Sequence, residues 1–272
     1  MNLNNTIKTQ LNHRSIRHFR KQPLDKETLN TLYEVANHTA SSQFLQQFSI
    51  IHVTDKNKRT KLAEICNQPP LSENGELFIF LIDLHRNVKL RQETNLDDGR
   101  LHTMDLYLQG LSDATLAVQN MYLAAESLGL GGVILGSIRN DIRAVSELFN
   151  LPDMVIPALG LQIGIPDEEI QQKPRLPLSF KVFENEYQDN LSTQDYEDYD
   201  KEVEHYYLSR TSNPRKENFI QQIIGKNSNL NRKVTKRDEV LELTHSKGML
   251  WNKKIPETWL AYISNQVLRN FL

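Results

Sequence analysis

The sequence predicts an α+β fold in which a central sheet is flanked by helices. Four short segments are rich in β-branched and aromatic residues, which is the composition of strands. They span residues 48–53, 77–82, 133–136 and 157–164. Longer stretches with helical spacing lie between them, and the connections are of both hairpin and crossover length. Residues 77–82 are apolar throughout, which predicts a strand buried on both faces.

The helices are predicted from apolar spacing and from residues that favour helix ends. Asp25 is placed to cap a helix whose apolar residues follow the i, i+3, i+4, i+7 pattern. Those residues are Leu29, Leu32, Tyr33 and Ala36. Further helices are predicted at residues 3–12, 56–65, 106–128 and 141–149. Residues 86–100 are polar and predict only a helix end followed by a surface loop.

The segment 106–128 is the strongest predicted helix, and it is apolar nearly all round. A helix of this kind is buried in a core or in an interface. The glycine-rich run Gly129-Leu130-Gly131-Gly132 follows it. A dinucleotide-binding fingerprint requires a strand, then glycines, then a helix, whereas the order here is helix, glycines, strand. These glycines therefore predict a helix C-terminus and a tight turn.

Composition and charge exclude several classes of function. The chain has 272 residues and a net charge of −2, without the basic excess typical of nucleic-acid-binding proteins. Cys66 is the only cysteine, so neither an intramolecular disulfide nor a cysteine-based zinc site can form, and we expect a small buried side chain. The sequence has no metal-binding motif, no signal peptide and no apolar run near the roughly 18 residues of a spanning helix. We therefore expect a cytoplasmic protein that binds neither nucleic acid nor membrane.

A basic segment near the N-terminus is the first candidate site. His13, Arg14, Arg17 and His18 surround the hydroxyl of Ser15. Guanidinium groups bind phosphate through paired charged hydrogen bonds, and a serine hydroxyl adds another donor. The segment therefore has the size and charge to hold a phosphate. The same pattern is also typical of a solvated basic start of a helix.

Two further pairs of cations allow the same two interpretations. Lys173 and Arg175 flank Pro174, and in an extended segment they point the same way. They are either exposed cations or fixed positive charges beside a cofactor that becomes anionic. Arg210 and Arg215 either clamp a phosphate or belong to a solvated basic loop.

The charge of the chain reverses in its C-terminal part. Residues 184–204 hold nine Asp or Glu against one Lys, whereas residues 209–254 hold eleven Lys or Arg against four Asp or Glu. Such a reversal is typical of two solvated faces, and it also permits a basic pocket against the rest of the fold. Residues 251–272 have the spacing of an amphipathic helix, which could pack on a partner subunit.

Five motifs occur in one order along residues 5–250. They are His13-Arg14-Ser15-Ile16-Arg17, Ser41-Ser42-Gln43-Phe44-Leu45-Gln46, residues 124–140, Lys173-Pro174-Arg175-Leu176-Pro177, and Tyr206-Tyr207 with residues 210–213. In this set the sequence resembles the nitroreductase/flavin reductase family, and most of all its NADPH-preferring, oxygen-insensitive branch.

The resemblance implies a nitroreductase-like α+β homodimer with a mainly antiparallel central sheet and two FMN molecules at the subunit interface. Residues 1–180 would form the FMN-binding core, and residues 181–272 a C-terminal extension that carries the NADPH pocket and wraps the dimer. The implied activity is ping-pong hydride transfer. NADPH reduces FMN, NADP leaves, and a nitroaromatic, a quinone or free flavin then takes the hydride.

The resemblance also assigns site residues by position. The phosphate and ribityl part of FMN would be bound by His13, Arg14, Ser15 and Arg17. The flavin ring would be contacted by Ser42 and Gln68, and the backbone of Leu135, Gly136 and Ser137 would face it. Lys173 and Arg175 would lie near N1 and O2 and stabilise the anionic reduced ring. The 2′-phosphate of NADPH would be bound by Arg210 and Arg215, with Arg139 near that pocket.

This interpretation agrees with the absence of acid–base or nucleophile motifs, because a flavin carries the hydride itself. An alternative interpretation is a flavin-binding or sensing protein without significant turnover. Reduction of the bound flavin by NADPH distinguishes the two.

Overall fold

The computed structural model describes residues 3–189, 191–210, 213–224 and 236–249. The predicted amphipathic segment at residues 251–272 lies outside the described residues, as do Thr211 and Ser212 of the last motif. Within the described part of the chain, no helix is both long enough and apolar enough to cross a membrane.

A four-stranded sheet forms the centre of the fold. Its strands are β1 (Phe48–His52), β2 (Glu76–Asp83), β3 (Gly131–Leu135) and β4 (Val155–Gly164). They lie in the order β1-β2-β4-β3, and every neighbouring pair is antiparallel. The predicted α+β class with its mainly antiparallel central sheet is therefore confirmed.

Helices precede, connect and follow the strands. In the described residues they are α1 (Asn5–Leu11), α2 (Lys26–Asn37), α3 (Lys56–Cys66), α4 (His85–Glu93), α5 (Met104–Ser127), α6 (Ile142–Leu148), α7 (Glu197–Leu208), α8 (Phe219–Ile224) and α9 (Val240–Ser246). Asp25 caps α2 as predicted, because its side chain accepts the N–H of Thr28. The segment 86–100 is more helical than predicted. α4 forms there because Val88 packs into the core although its other residues are polar or exposed.

The helices cover both faces of the sheet, and β2 contributes to both layers. Leu77, Ile79 and Leu81 pack on one side with residues of α3 and α6. Phe78 and Phe80 pack on the other side with residues of α2 and α5. All five side chains are buried, so β2 is covered on both faces as its continuous apolar run predicts.

The basic N-terminal segment runs along β3. Ser15 forms an isolated parallel bridge with Gly132, and the N–H of Ile16 donates to the Gly132 carbonyl at 2.7 Å. Gly131 permits this approach, since a Cβ there would lie 2.7 Å from Cγ1 of Ile16. Gly129, at φ +77°, follows the end of α5 as predicted. Gly131 itself belongs to the strand rather than to the predicted turn, because it is paired with β4.

Candidate functional site

Neighbouring elements hold the backbone of the basic segment in place. The carboxylate of Glu168 accepts the N–H of Arg17 at 2.6 Å and that of His18 at 3.1 Å. The buried hydroxyl of Tyr122 donates to the carbonyl of Arg14 at 3.0 Å and also contacts a carbonyl of β3. Burial raises the pKa of Tyr122, which keeps this hydroxyl protonated as a donor. The backbone is thus fixed while the arginine side chains stay exposed.

His13 connects the basic segment to α5. Its Nδ1 lies 2.8 Å from Oε1 of Glu126, and its ring meets Tyr122 edge-on with 5.1 Å between the centroids. The Glu126 side chain is mostly buried, whereas His13 is partly exposed. His13 therefore orients the segment whether or not it also contacts a ligand.

Four predicted cofactor-binding cations have no carboxylate partner among the described residues. They are Arg14, Arg17, Lys173 and Arg175, and all four are exposed. The Arg17 guanidinium donates to the carbonyl of Ser15 at 3.4 Å, and that of Arg175 donates to the carbonyl of Lys173 at 2.7 Å. Cations without carboxylate partners are available to an external anion such as a phosphate.

The two cationic segments lie side by side. The Gln172 amide donates to a carbonyl at the end of α1. A groove of about 980 Å³ runs between α1, the end of α5 and the segment after β4, and Arg14 lines it. Gln171 borders both this groove and a second one that is lined by Lys173 and Arg175. The fold therefore places Arg14, Lys173 and Arg175 along adjoining grooves.

Gln68 and Ser137 meet beyond the C-terminal end of β3. The Gln68 amide donates to the Ser137 hydroxyl at 3.1 Å. Leu135 is the last residue of β3 and its side chain is buried, so only its backbone is available to a ligand. Cys66 lies nearby and is buried as predicted, and burial raises the pKa of its thiol to about 11. A thiol of this kind is not a nucleophile at neutral pH.

Arg139 and Arg237 converge on Gly136, which starts the 3-10 helix after β3. A Cβ on Gly136 would lie 3.4 Å from the Arg139 guanidinium and 3.7 Å from that of Arg237. Arg139 donates to the carbonyl of Ala158 at 2.8 Å, and Arg237 donates to the side chain of Asn140 at 3.2 Å. Burial, and then the charge of Arg237, lowers the pKa of Arg139. The sequence predicted Arg139 near the NADPH pocket, and it did not predict Arg237.

Ser42 lies in a loop that is bound to α5. Its N–H donates to Oδ1 of Asp113 at 2.9 Å, while the Ser41 hydroxyl and the Gln47 N–H donate to Oδ2 at 2.7 and 3.1 Å. The loop holds Phe44 at φ +58° with its ring largely exposed. The hydrogen bonds of Ser42 therefore connect it with α5 and with its own loop, not with the other predicted ring contacts.

Two of the three predicted NADPH residues, together with Lys173, lie around one aromatic ring. Tyr207 on α7 is only 4% exposed. Its ring centroid lies 4.2 Å from Cζ of Arg215, 5.3 Å from Nζ of Lys173 and 5.8 Å from Cζ of Arg210. Arg210 and Arg215 thus come together with Lys173, whereas Arg139 belongs to the patch beside β3.

Three residues with clear structural roles were assigned no role by the sequence prediction. Asp113 could have been found, because it is the only charged residue between positions 106 and 125 and a buried charge needs partners. Tyr207 stood in a recognised motif, but nothing in the sequence shows that three cations gather on it. Arg237 gave no signal, because its contact with Arg139 joins distant parts of the chain.

Comparison with known proteins assigns the chain to a family. Residues 11–165 match the model of the Nitroreductase family, and residues 173–252 match that of the Nitroreductase family, C-terminal domain. An FMN reductase (NADPH) of Bacillus subtilis is 40% identical over 229 residues, which are 82% of this chain and 91% of the relative. An NADPH-flavin oxidoreductase of Vibrio harveyi is 38% identical over 248 residues, which are 91% of this chain and 99% of the relative.

The fold agrees with the sequence comparison. The structure matches nitroreductase A from Vibrio parahaemolyticus with a TM-score of 0.81 and 37% identity, covering 93% of this chain and 100% of that chain. The chain belongs to the Nitroreductase family.

Proposed function

We propose that this protein is an NADPH-dependent FMN oxidoreductase that reduces nitroaromatics, quinones or free flavin. Two of its relatives are named FMN reductase (NADPH) and NADPH-flavin oxidoreductase. The observation that carries the proposal is the set of exposed cations without carboxylate partners, Arg14, Arg17, Lys173 and Arg175, on segments that meet along adjoining grooves. An anionic, elongated cofactor fits such an arrangement, because its phosphate and its ring each need positive charge.

The N-terminal segment fits the phosphate end of FMN. Arg14 and Arg17 offer charged N–H donors and Ser15 offers a hydroxyl, on a backbone that Glu168 and β3 hold fixed. In this proposal His13 contributes from its position on Glu126. These groups bind and orient the cofactor and take no part in chemical steps.

The end of β3 fits the ring of FMN, which supplies hydride transfer when bound. Gly136 leaves a space that a Cβ would fill, so the backbone of residues 135–137 can approach a flat ligand. Gln68 reaches the same place through its hydrogen bond to Ser137. Lys173 and Arg175 would supply fixed positive charge to the ring, and preorganised charge of this kind favours its reduction.

The cations around Tyr207 fit the 2′-phosphate of NADPH. Arg210 and Arg215 would bind this group. Arg139 lies beside β3 rather than at this ring, and it would border the NADPH pocket from there. Guanidinium groups are suited to this task because they bind phosphate bidentately. A 2′-phosphate is what distinguishes NADPH from NADH, so these residues would set the preference between the two.

We infer that the protein acts as a homodimer. α1 and α5 expose apolar side chains at helical spacing, with Ile7 and Leu11 on α1 and Met104, Leu108 and Leu116 on α5. Exposed apolar surface of this extent on two helices is typical of an interface. A dimer also explains how Ser42 could contact a flavin, since a second chain can bring its own loop to the ring site.

Residues 1–180 would then be the FMN-binding core, and residues 181–272 the extension with the NADPH pocket and the dimer contacts. Tyr207, Arg210 and Arg215 lie in this extension, but Lys173 comes from the core. The NADPH pocket is therefore built at the junction of the two parts.

Initial rates of NADPH oxidation by the purified, FMN-loaded protein test the proposal. The acceptors are nitrofurazone, a benzoquinone and free FMN, each with NADPH and with NADH. We expect acceptor-dependent oxidation that prefers NADPH, with parallel lines in double-reciprocal plots because NADP leaves before the acceptor binds. No oxidation above the protein-free rate with any acceptor would contradict the proposed function.

A further inference from the structure

The ring of Tyr207 is contacted by cations from three separate positions of the chain. Arg215 lies over it at 4.2 Å, while Lys173 and Arg210 lie at 5.3 and 5.8 Å. Tyr207 is almost fully buried, on the face of α7 that also carries Tyr199 and Val203. This face is fixed by its apolar packing, so the ring offers the cations a rigid surface.

Lys173, Arg210 and Arg215 bring three positive charges to one ring, and this arrangement needs an explanation. Like charges that are held close together repel one another, and only Arg215 has a carboxylate partner among the described residues, namely Glu217 at 2.7 Å. An aromatic face attracts cations and offsets part of this repulsion. The cluster of Arg210, Arg215 and Lys173 therefore keeps a net positive charge, and Tyr207 is what its members share.

The hydroxyl and the backbone of Tyr207 contribute as well. Burial alone would raise the pKa of the phenol, but hydrogen bonds and charge from Lys173 and Arg215 outweigh burial, so the pKa lies below its ordinary value. The N–H of Arg215 also donates to the carbonyl of Tyr207 at 3.2 Å. This bond closes the loop after α7 and brings Arg215 back over the ring.

We propose that Tyr207 is a positioning residue that gathers Arg210, Arg215 and Lys173 into a binding site for the 2′-phosphate of NADPH, and that it thereby sets the preference for NADPH over NADH. The inference rests on the proposed function, because it concerns the co-substrate of that activity. Tyr207 acts through the cations it holds. The substrate class that it selects is a nucleotide with a phosphate on the 2′-hydroxyl.

The test compares Tyr207→Leu and Tyr207→Phe with the wild-type holoenzyme. Leucine keeps apolar packing but removes the ring and the hydroxyl, whereas phenylalanine keeps the ring. Tyr199→Leu is the matched control. Tyr199 is a buried tyrosine on the same apolar face of α7, and its ring packs against Phe219. The flavin absorption spectrum and the thermal midpoint show whether each variant is folded and loaded.

Two readouts are measured for each variant. The first is the ratio of kcat/KM for NADPH to that for NADH. The second is the inhibition constant of adenosine 2′,5′-bisphosphate, with adenosine 5′-monophosphate as the probe that lacks the 2′-phosphate. In Tyr207→Leu we expect the ratio to fall roughly tenfold and the bisphosphate to bind roughly tenfold more weakly, as the loss of several cation–π contacts predicts. Tyr207→Phe should lie between Tyr207→Leu and the wild type.

An unchanged ratio and an unchanged bisphosphate constant in a folded Tyr207→Leu would overturn the inference. So would an equal loss of selectivity in Tyr199→Leu, since that would show a general packing effect. If Tyr207→Leu does not fold, Tyr207→Met replaces it, because methionine also removes the ring. A drop in both readouts then supports the inference, and wild-type values overturn it. Failure of the proposed function looks different, because the wild type would then oxidise neither nucleotide.

Discussion

Asp113 is a carboxylate placed in the middle of an otherwise apolar stretch of α5. It is 1% exposed and accepts three hydrogen bonds from the loop that carries Ser42. A buried carboxylate is tolerated only when its oxygens are paired in this way. One side chain thus holds the backbone of a whole loop in its conformation. This role explains why a carboxylate occupies a position that helical periodicity places in the core.

Asp113→Ala should reduce the free energy of unfolding by about 3 kcal/mol, because several donors lose a charged acceptor at once. Urea denaturation measures this change. Asp105→Asn is the control, since Asp105 lies exposed in the first turn of α5 and bonds only to Gln109 among the described residues. A loss in Asp113→Ala no larger than that in the control would contradict the assigned role.

Arg210→Ala tests the proposed phosphate contact at the same scale. The loss of one charge-assisted hydrogen bond costs roughly 1.5–3 kcal/mol, so KM for NADPH should rise at least about tenfold while KM for NADH changes little. Steady-state kinetics with both nucleotides measure the difference. Lys201→Ala on α7, an exposed lysine that pairs with Asp198, should leave both values unchanged. Equal increases for NADPH and NADH in Arg210→Ala would refute the 2′-phosphate contact.

At the scale of elements, a partly buried hydrogen-bond chain connects α2, β1 and β2. The Tyr33 hydroxyl lies 2.8 Å from Nδ1 of His52, and Nε2 of His52 lies 2.9 Å from Oε2 of Glu76. The hydrogen bond from His52 is the main reason why the pKa of Glu76 lies below its ordinary value of 4.5. The N–H of Leu24 and the charge of Arg59 act in the same direction.

This shift gives stability a pH dependence of known sign. Because the pKa of Glu76 is lowered in the folded state, its contribution is fully present above pH 4.5 and is lost as the pH falls further through the lowered value. The stability difference between wild type and Glu76→Gln should therefore shrink as the pH drops below 4.5. Denaturant titrations at several pH values measure it, with Glu73→Gln as an exposed control. A difference that stays constant with pH would contradict the coupling.

Local signals made most elements predictable from the sequence. The cap at Asp25, the apolar run of β2 and the glycine after α5 each act within a few residues, and the structure has all three. α4 was incompletely predicted because a single buried residue, Val88, anchors it. A contact with the core cannot be predicted from a polar stretch that contains so few apolar residues.

The candidate site was predictable only in its motif residues. Spacing and resemblance indicated Arg14, Lys173 and Arg210, but the partners that position them come from distant parts of the chain. The Tyr122 hydroxyl holds the carbonyl of Arg14, and the ring of Tyr207 lies against both Lys173 and Arg210. Such contacts depend on how the elements pack, which periodicity and charge do not encode.

At the scale of the whole molecule, the exposed apolar faces of α1 and α5 predict a dimer. The double variant Leu108→Asp with Leu116→Asp should convert it to a monomer, because charges in an apolar interface lose their hydration. Light scattering coupled to size-exclusion chromatography measures the mass. Leu90→Asp, at an exposed leucine of α4, is the control. A wild-type protein that binds FMN as a monomer would contradict the proposed dimer.

The central claim is that this member of the Nitroreductase family holds FMN and that NADPH reduces it there. The most direct test is an anaerobic titration of the purified, FMN-incubated protein with NADPH, followed by visible absorption. We expect a flavin spectrum that stays with the protein through gel filtration and is bleached by NADPH. A protein that remains colourless would contradict the claim at the level of binding. A bound flavin that NADPH leaves oxidised would contradict it at the level of catalysis, and would identify a flavin-binding protein without turnover.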